Sequence, residues 1–307
     1  MIKNVLFLAV LALVGRALFL QFRQVDWSKT TLQGGFVAPA LAAILAAKVL
    51  GLWIYRYMLA SFDSPLSWPT AMGVSWVPQL GKYVPGKVAS VAGAIYLLNR
   101  SGVSTAVATS AILILSGLSV ATGLIAGVPL TLWPPISETM PLAWLWCGLL
   151  LAGGLVCLHP AVFSRAVNFV LRRMGRPALI MPRASRYVPP LIGSLIQWLL
   201  QGFAVWLLAR AIGEVPLGMA PLFISAVALG QTLGFVAVFA PAGLGVREGI
   251  LLLIFNPLLG VDKAAVVVVA SRVVVTLADV VTAAVGYVSI RAAKAGRDGA
   301  IDAGGGE

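Results

Sequence analysis

Long apolar runs alternate along the chain with polar clusters only a few residues in length. A bilayer crossing needs about 20 mostly apolar residues. Runs at 1–21, 35–57, 104–127, 142–158, 189–212, 216–239 and 264–290 therefore read as membrane passes or most of one. Two blocks break the rhythm. In the first, apolar segments at 68–80 and 88–98 are each too short to cross, and Lys82-Tyr83-Val84-Pro85-Gly86-Lys87 stands between them. In the second, the run at 216–239 meets Ala240-Pro241-Ala242-Gly243-Leu244-Gly245-Val246-Arg247-Glu248, then a short apolar return at 249–255. Proline and glycine interrupt helices, and interrupted backbone at membrane depth is tolerated only where protein buries it or it lines a cavity. Each block predicts two half-helices meeting at a break.

The resulting fold class is an all-α polytopic membrane protein with about eight transmembrane helices and one or two re-entrant broken-helix pairs. The two breaks also share an order of parts. After the first come an apolar half-helix, Asn99, and Gly102-Val103-Ser104 opening the next span. After the second come an apolar half-helix, Asn256, and Gly260-Val261-Asp262 in the same role. Entered from opposite sides, two such units form an inverted repeat, which in transporters brackets a site near the midplane. Local signals fill in the connections: Asp63-Ser64-Pro65 as a turn, Ser104 and Asp262 as helix N-caps, a turn over 256–260, and Phe163, Val167, Val170 and Leu171 as the apolar face of a surface-lying helix.

Composition decides between membrane and soluble readings. The chain is 60% hydrophobic and 10% charged, with mean hydropathy +0.98, whereas a soluble domain carries roughly a quarter charged residues. Residues 1–295 read as one membrane domain and the glycine-rich 296–307 as a disordered tail. The first run has no small-x-small cleavage pattern and is expected to stay as a helix. Net charge is +12, and between 139 and 213 there are seven arginines and no acid, six of them within 165–186. Excess Lys and Arg marks cytoplasmic loops, which with Arg291, Lys294 and Arg297 sets both termini in the cytoplasm and the protein in the cytoplasmic (inner) membrane. The same arginines suit docking to anionic lipid; the two readings are compatible. Nucleic acid is not an expected partner, because no folded module accompanies the charge.

Catalytic chemistry has little to draw on. One histidine, His159, and two cysteines, Cys147 and Cys157, cannot form a His-based triad or a zinc cluster. No enzyme activity, metal or cofactor is expected. The ionisable residues in or beside the apolar runs are Lys48, Lys82, Lys87, Arg210, Arg247, Glu248, Arg272 and Asp279. Lys48 either snorkels or faces the interior. Arg272, Thr276 and Asp279 share one helix face. A purely structural reading pairs Arg272 with Asp279 and Arg247 with Glu248. Two acids still leave cations in surplus, beside half-helix N-termini that favour anions, and Arg is well matched to phosphate. The predicted headgroup path comprises Lys82, Pro85, Gly86, Lys87, Pro241, Gly243, Gly245, Arg247, Glu248, Arg272 and Asp279.

At these residues the chain resembles the lysylphosphatidylglycerol synthase transmembrane, or flippase-like, family. Its members carry a Pro-Gly-Lys break in the first half, here Pro85-Gly86-Lys87, and a Pro-Gly-Gly-Leu-Gly-Val-Arg-Glu-type motif in the second, here 241–248. Ala242 stands where a glycine is usual, and Arg272 matches a family arginine in the following helix. The resemblance implies movement of an anionic phospholipid, a glycolipid, or a polyprenyl- or hopanoid-type lipid across the membrane. In the best-known members an aminoacyl-transferase domain makes the lipid; this chain reads as the membrane domain alone, so its lipid is expected to come from elsewhere. Three functions stand side by side. The first is a lipid translocase in which Lys87, Arg247 and Arg272 hold phosphate, while Glu248 and Asp279 weaken the hold or carry a coupling proton. The second is a membrane-embedded transferase with Glu248 or Asp279 as general base. The third is a scaffold, docking a glycosyltransferase or lipid-synthesising enzyme through 165–186. A homo-oligomer is compatible with all three.

Overall fold

The structure, a computed structural model, describes residues 33–83, 88–133, 142–173, 175, 177–237 and 245–304. Among them every regular element is helical: α1 (Val37–Ala60), α2 (Trp68–Trp76) with a 3-10 extension (Val77–Tyr83), α3 (Val88–Arg100), α4 (Thr105–Thr131), α5 (Ala143–Leu158), α6 (Pro160–Arg173), α7 (Val188–Arg210), α8 (Ala220–Val236), α9 (Val246–Leu259) and α10 (Val261–Gly304). The local signals explain most boundaries. Asp63 adopts a left-handed φ of 54° in the turn after α1. Ser104 accepts a hydrogen bond from the Val107 amide at the start of α4.

Among the described residues five segments are long and apolar enough to cross a bilayer: Gly34–Ala60, Thr105–Thr131, Ala184–Arg210, Leu217–Val236 and Val261–Ala293. A sixth arises if α5 and α6, bent by 78°, count as one broken span. The expected first pass at 1–21 lies outside the described residues. So do the centres of both breaks, at 84–87 and 238–244. The short helices flanking them behave as anticipated: α2, α3 and α9, of 9, 13 and 14 residues, fall short of a crossing.

The boundaries of α9 and α10 differ from expectation. Helix α9 starts at Val246, so Arg247 and Glu248 sit in its first turn rather than in the break, and it runs through Pro257 to Leu259. Gly260, at φ 79°, then separates it from α10, so the expected turn contracts to one residue and Asp262 lies in the first turn of α10 instead of capping it. At the other end, α10 runs on to Gly304, past the glycine at 296 where the tail was expected to begin. Propagating an existing helix costs far less than starting one, and the segment is alanine-rich.

Helix α10 is the central element, packed against α1, α2, the 3-10 extension, α7 and α9. Its closest neighbour is α2. A Cβ on Gly286 would lie 2.7 Å from the Met72 carbonyl oxygen, and one on Gly73 would strike Ile290. Small residues let membrane helices approach closely, where packing rather than hydrophobicity drives association. Gly286→Val should force the pair apart and cost about 1–3 kcal/mol as an overpacked contact. Thermal unfolding of the detergent-purified variant should show a midpoint several degrees below the wild type.

Two apolar clusters complete the bundle. One gathers α7, α8, α9 and α10 around the stacked rings of Phe223 and Phe255, 4.6 Å apart and both fully buried. The other gathers the end of α1 with α2, α3 and the start of α4. Against it lies α6, with Phe163, Val167 and Leu171 turned inward. Val170, expected on that face, is exposed. Asn168 of α6 accepts a hydrogen bond from the Leu179 amide at 2.6 Å, and Ser110 of α4 accepts from Ile180 at 2.9 Å. These bonds tie the Arg-rich segment to the bundle.

Candidate functional site

The flank of α10 that faces α9 and the 3-10 extension carries Ser271, Arg272, Thr276 and Asp279. Around them the fold assembles two charged groups. Arg272 and Asp279 are seven residues apart on one helix, which places them about 10 Å apart along its axis.

The first group is built at the start of α9. Gly245 precedes the helix with φ 85°, a conformation that a side chain would strain. Its amide donates to Glu248 Oε2 at 2.9 Å, so Glu248 closes the N-terminal turn and its charge meets the positive end of the helix. The other carboxylate oxygen, Oε1, lies 3.3 Å from Arg247 Nη1 and 3.3 Å from Arg272 Nη1. Arg247 Nη2 donates to Ser271 Oγ at 3.1 Å, and Ser271 in turn donates to the Val268 carbonyl at 2.7 Å. Arg247 is only 5% exposed. One carboxylate thus holds two guanidinium groups from two helices.

The second group centres on Asp279, which is wholly buried. It accepts from Lys48 of α1, from Lys82 at 2.6 Å, and from the Tyr83 hydroxyl at 2.7 Å. Tyr83 also lies 3.2 Å from the Thr276 hydroxyl, which donates to the Arg272 carbonyl at 2.7 Å. Through the Thr276 hydroxyl, Tyr83 is linked to the backbone of Arg272, a member of the first group.

Several expectations meet these contacts. Arg247 does pair with Glu248. Arg272 does not pair with Asp279; it binds Glu248, because seven residues of helix put Asp279 out of reach while α9 brings Glu248 alongside. Lys82, Gly245, Arg247, Glu248, Arg272 and Asp279 of the predicted path all come together. Pro85, Gly86, Lys87, Pro241 and Gly243 lie outside the described residues. Arg210 takes no part: it donates to the Val215 carbonyl at 3.2 Å and stacks on Phe36 and Trp206 at the end of α7. Lys48, Tyr83 and Ser271 belong to the site but were not assigned to it from sequence. Lys48 had a signal, since an amine in mid-span requires an acidic partner and the apolar runs contain only two acids. Tyr83 and Ser271 had none.

Together the groups contain four cations (Lys48, Lys82, Arg247, Arg272) and two carboxylates (Glu248, Asp279), a formal surplus of two positive charges. Burying ions costs several kcal/mol each even when they are paired, so hydrophobic packing alone does not account for this surplus. Such a site can take up an anion.

A family model described as lysylphosphatidylglycerol synthase TM region matches residues 2–286. Among curated proteins none matches the chain.

Proposed function

Because the chain belongs to the lysylphosphatidylglycerol synthase TM region family, we propose that it is a lipid translocase that carries an anionic headgroup across the membrane without changing it chemically. The observation that carries this reading is the pair of largely buried, net-cationic groups beside the breaks, in which Arg247, Arg272 and Asp279 are buried while Lys48, Lys82 and Glu248 are partly exposed. A lipid phosphate meeting them finds guanidinium groups held in place by Glu248, one of them also by Ser271, and amines held by Asp279. Bidentate guanidinium contacts suit phosphate oxygens. The acids are the counterweight: each competes with phosphate for the same donors, so binding stays reversible. The short helices α3 and α9, each following a break, fit an inverted repeat with the headgroup path between its halves. In this reading both termini face the cytoplasm, as the basic loops suggest.

Reconstituted liposomes test the proposal. With the purified protein in phosphatidylcholine vesicles, trace fluorescent phosphatidylglycerol should cross faster than fluorescent phosphatidylcholine, and faster than in protein-free vesicles. Equal crossing of both lipids would contradict a headgroup path built for anions. No crossing of any anionic lipid, from protein shown to be folded, would reject translocation and turn attention to a docking role for the exposed face of α6, where Arg173 stacks on Phe169.

A further inference from the structure

Taking the two charged groups as the anion path proposed above, we infer that Asp279 fills a phosphate site of its own protein, and that a lipid phosphodiester enters this site together with one proton.

Two amines and a phenol hydroxyl, one from α1 and two from the 3-10 extension, converge on one carboxylate. A structural ion pair would need one base. Here Asp279 has a surplus amine, and its donors are those that would hold an oxyanion. Exposure runs in one direction: the Lys48 and Lys82 side chains are 19% and 29% exposed, while that of Asp279 is 0%. An anion arriving from the open side therefore meets the amines before the acid. It cannot share them with an ionised carboxylate, because two like charges in one small site repel strongly. One proton removes the conflict. Protonated Asp279 releases the amines and becomes an O–H donor to the phosphate oxygen. Charge balances across the step: two amines and a carboxylate sum to +1, and two amines, a neutral acid and a phosphodiester anion also sum to +1. No covalent bond to the lipid forms or breaks.

The charged and titratable groups around Asp279 are Lys48 from α1, Lys82 and Tyr83 from the 3-10 extension, Arg272 on its own helix, and Arg247 with Glu248 from α9. Helix α2 brings no titratable residue to the contact, and α7 has only Arg210, engaged elsewhere. Glu248 remains held by two arginines and a backbone amide, which leaves Asp279 as the acid that the amines can release.

Calorimetry on the detergent-solubilised full chain tests this, with dihexanoyl phosphatidylglycerol as probe and buffers of different ionisation heat. The expected result is uptake of about one proton per probe bound, with affinity falling roughly tenfold per pH unit above the midpoint. Asp279→Asn should bind the probe with no proton uptake. Should that variant fail to fold, Tyr83→Phe serves instead: with one donor lost the carboxylate protonates more readily, so the midpoint moves to higher pH while uptake stays near one. Binding by the wild type without proton uptake, uptake that survives in Asp279→Asn, an unmoved midpoint in Tyr83→Phe, or no binding at all would overturn the inference. Inorganic phosphate distinguishes the source of the anion. Weaker binding than the lipid probe supports a lipid site, and equal binding overturns it. Lipid crossing without proton uptake would overturn this inference alone; proton-linked binding without crossing would leave it standing and remove translocation.

Discussion

Arg247→Ala should slow the movement of fluorescent phosphatidylglycerol by roughly 30- to 150-fold in liposomes and leave the protein folded. A hydrogen bond to a charged group contributes about 1.5–3 kcal/mol. Losing two or so from the headgroup, partly offset by water, gives about 2–3 kcal/mol, at 1.4 kcal/mol per tenfold. Stability survives because Glu248 keeps Arg272 and the Gly245 amide, so no buried carboxylate is stranded. Arg247→Lys should recover part of the rate: the charge is retained, but a lysine offers a point contact rather than a planar fork. An Arg247→Ala protein that unfolds at the wild-type temperature and moves lipid at the wild-type rate would remove Arg247 from the path.

The second large effect concerns stability. Asp279→Ala leaves two amines without their carboxylate. Breaking a buried pair by removing one partner costs about 3–5 kcal/mol, enough to lower expression and thermal stability sharply. Replacing the whole group is different. The variant Lys48→Met, Lys82→Met, Asp279→Leu removes both signs of charge at once, and such exchanges are often neutral or stabilising. It should therefore regain most of the thermal stability lost in Asp279→Ala and fail to move anionic lipid. A group that served only to hold the helices together would give a stable variant that still transports. Thermal unfolding and lipid crossing, measured on the same preparation, separate the two cases.

The sequence revealed the helices and the chemistry far better than the partnerships. Apolar run length placed α1, α4, α7, α8 and the start of α10 within a few residues, because the bilayer imposes a similar length on every span. The breaks at Pro85-Gly86 and Pro241 marked where short helices would flank the site. Arg247, Glu248, Arg272 and Asp279 stood out because ionisable residues are expensive there. What the sequence could not supply was who meets whom. Helical spacing puts Arg272 and Asp279 on one face but says nothing of what the neighbouring helices present. Glu248 reaches Arg272 only because α9 lies alongside α10, and Lys48 reaches Asp279 across 231 residues of chain. The start of α9 was misplaced for a related reason. Glycines at 243 and 245 read as continued breakage, whereas Glu248 folding back to the Gly245 amide ends the break before Arg247.

That 231-residue separation also constrains how the protein is made. Helix α1 leaves the ribosome long before α10, so Lys48 and then Lys82 enter the membrane well before the acid that holds them has been synthesised. Asp279 arrives with α10 and pairs with both amines at once, leaving one positive charge in excess. Helix α10 thus acts as a latch on assembly: nascent chains halted before it should be held by chaperones or degraded, whereas chains that include it escape once the three charges find one another.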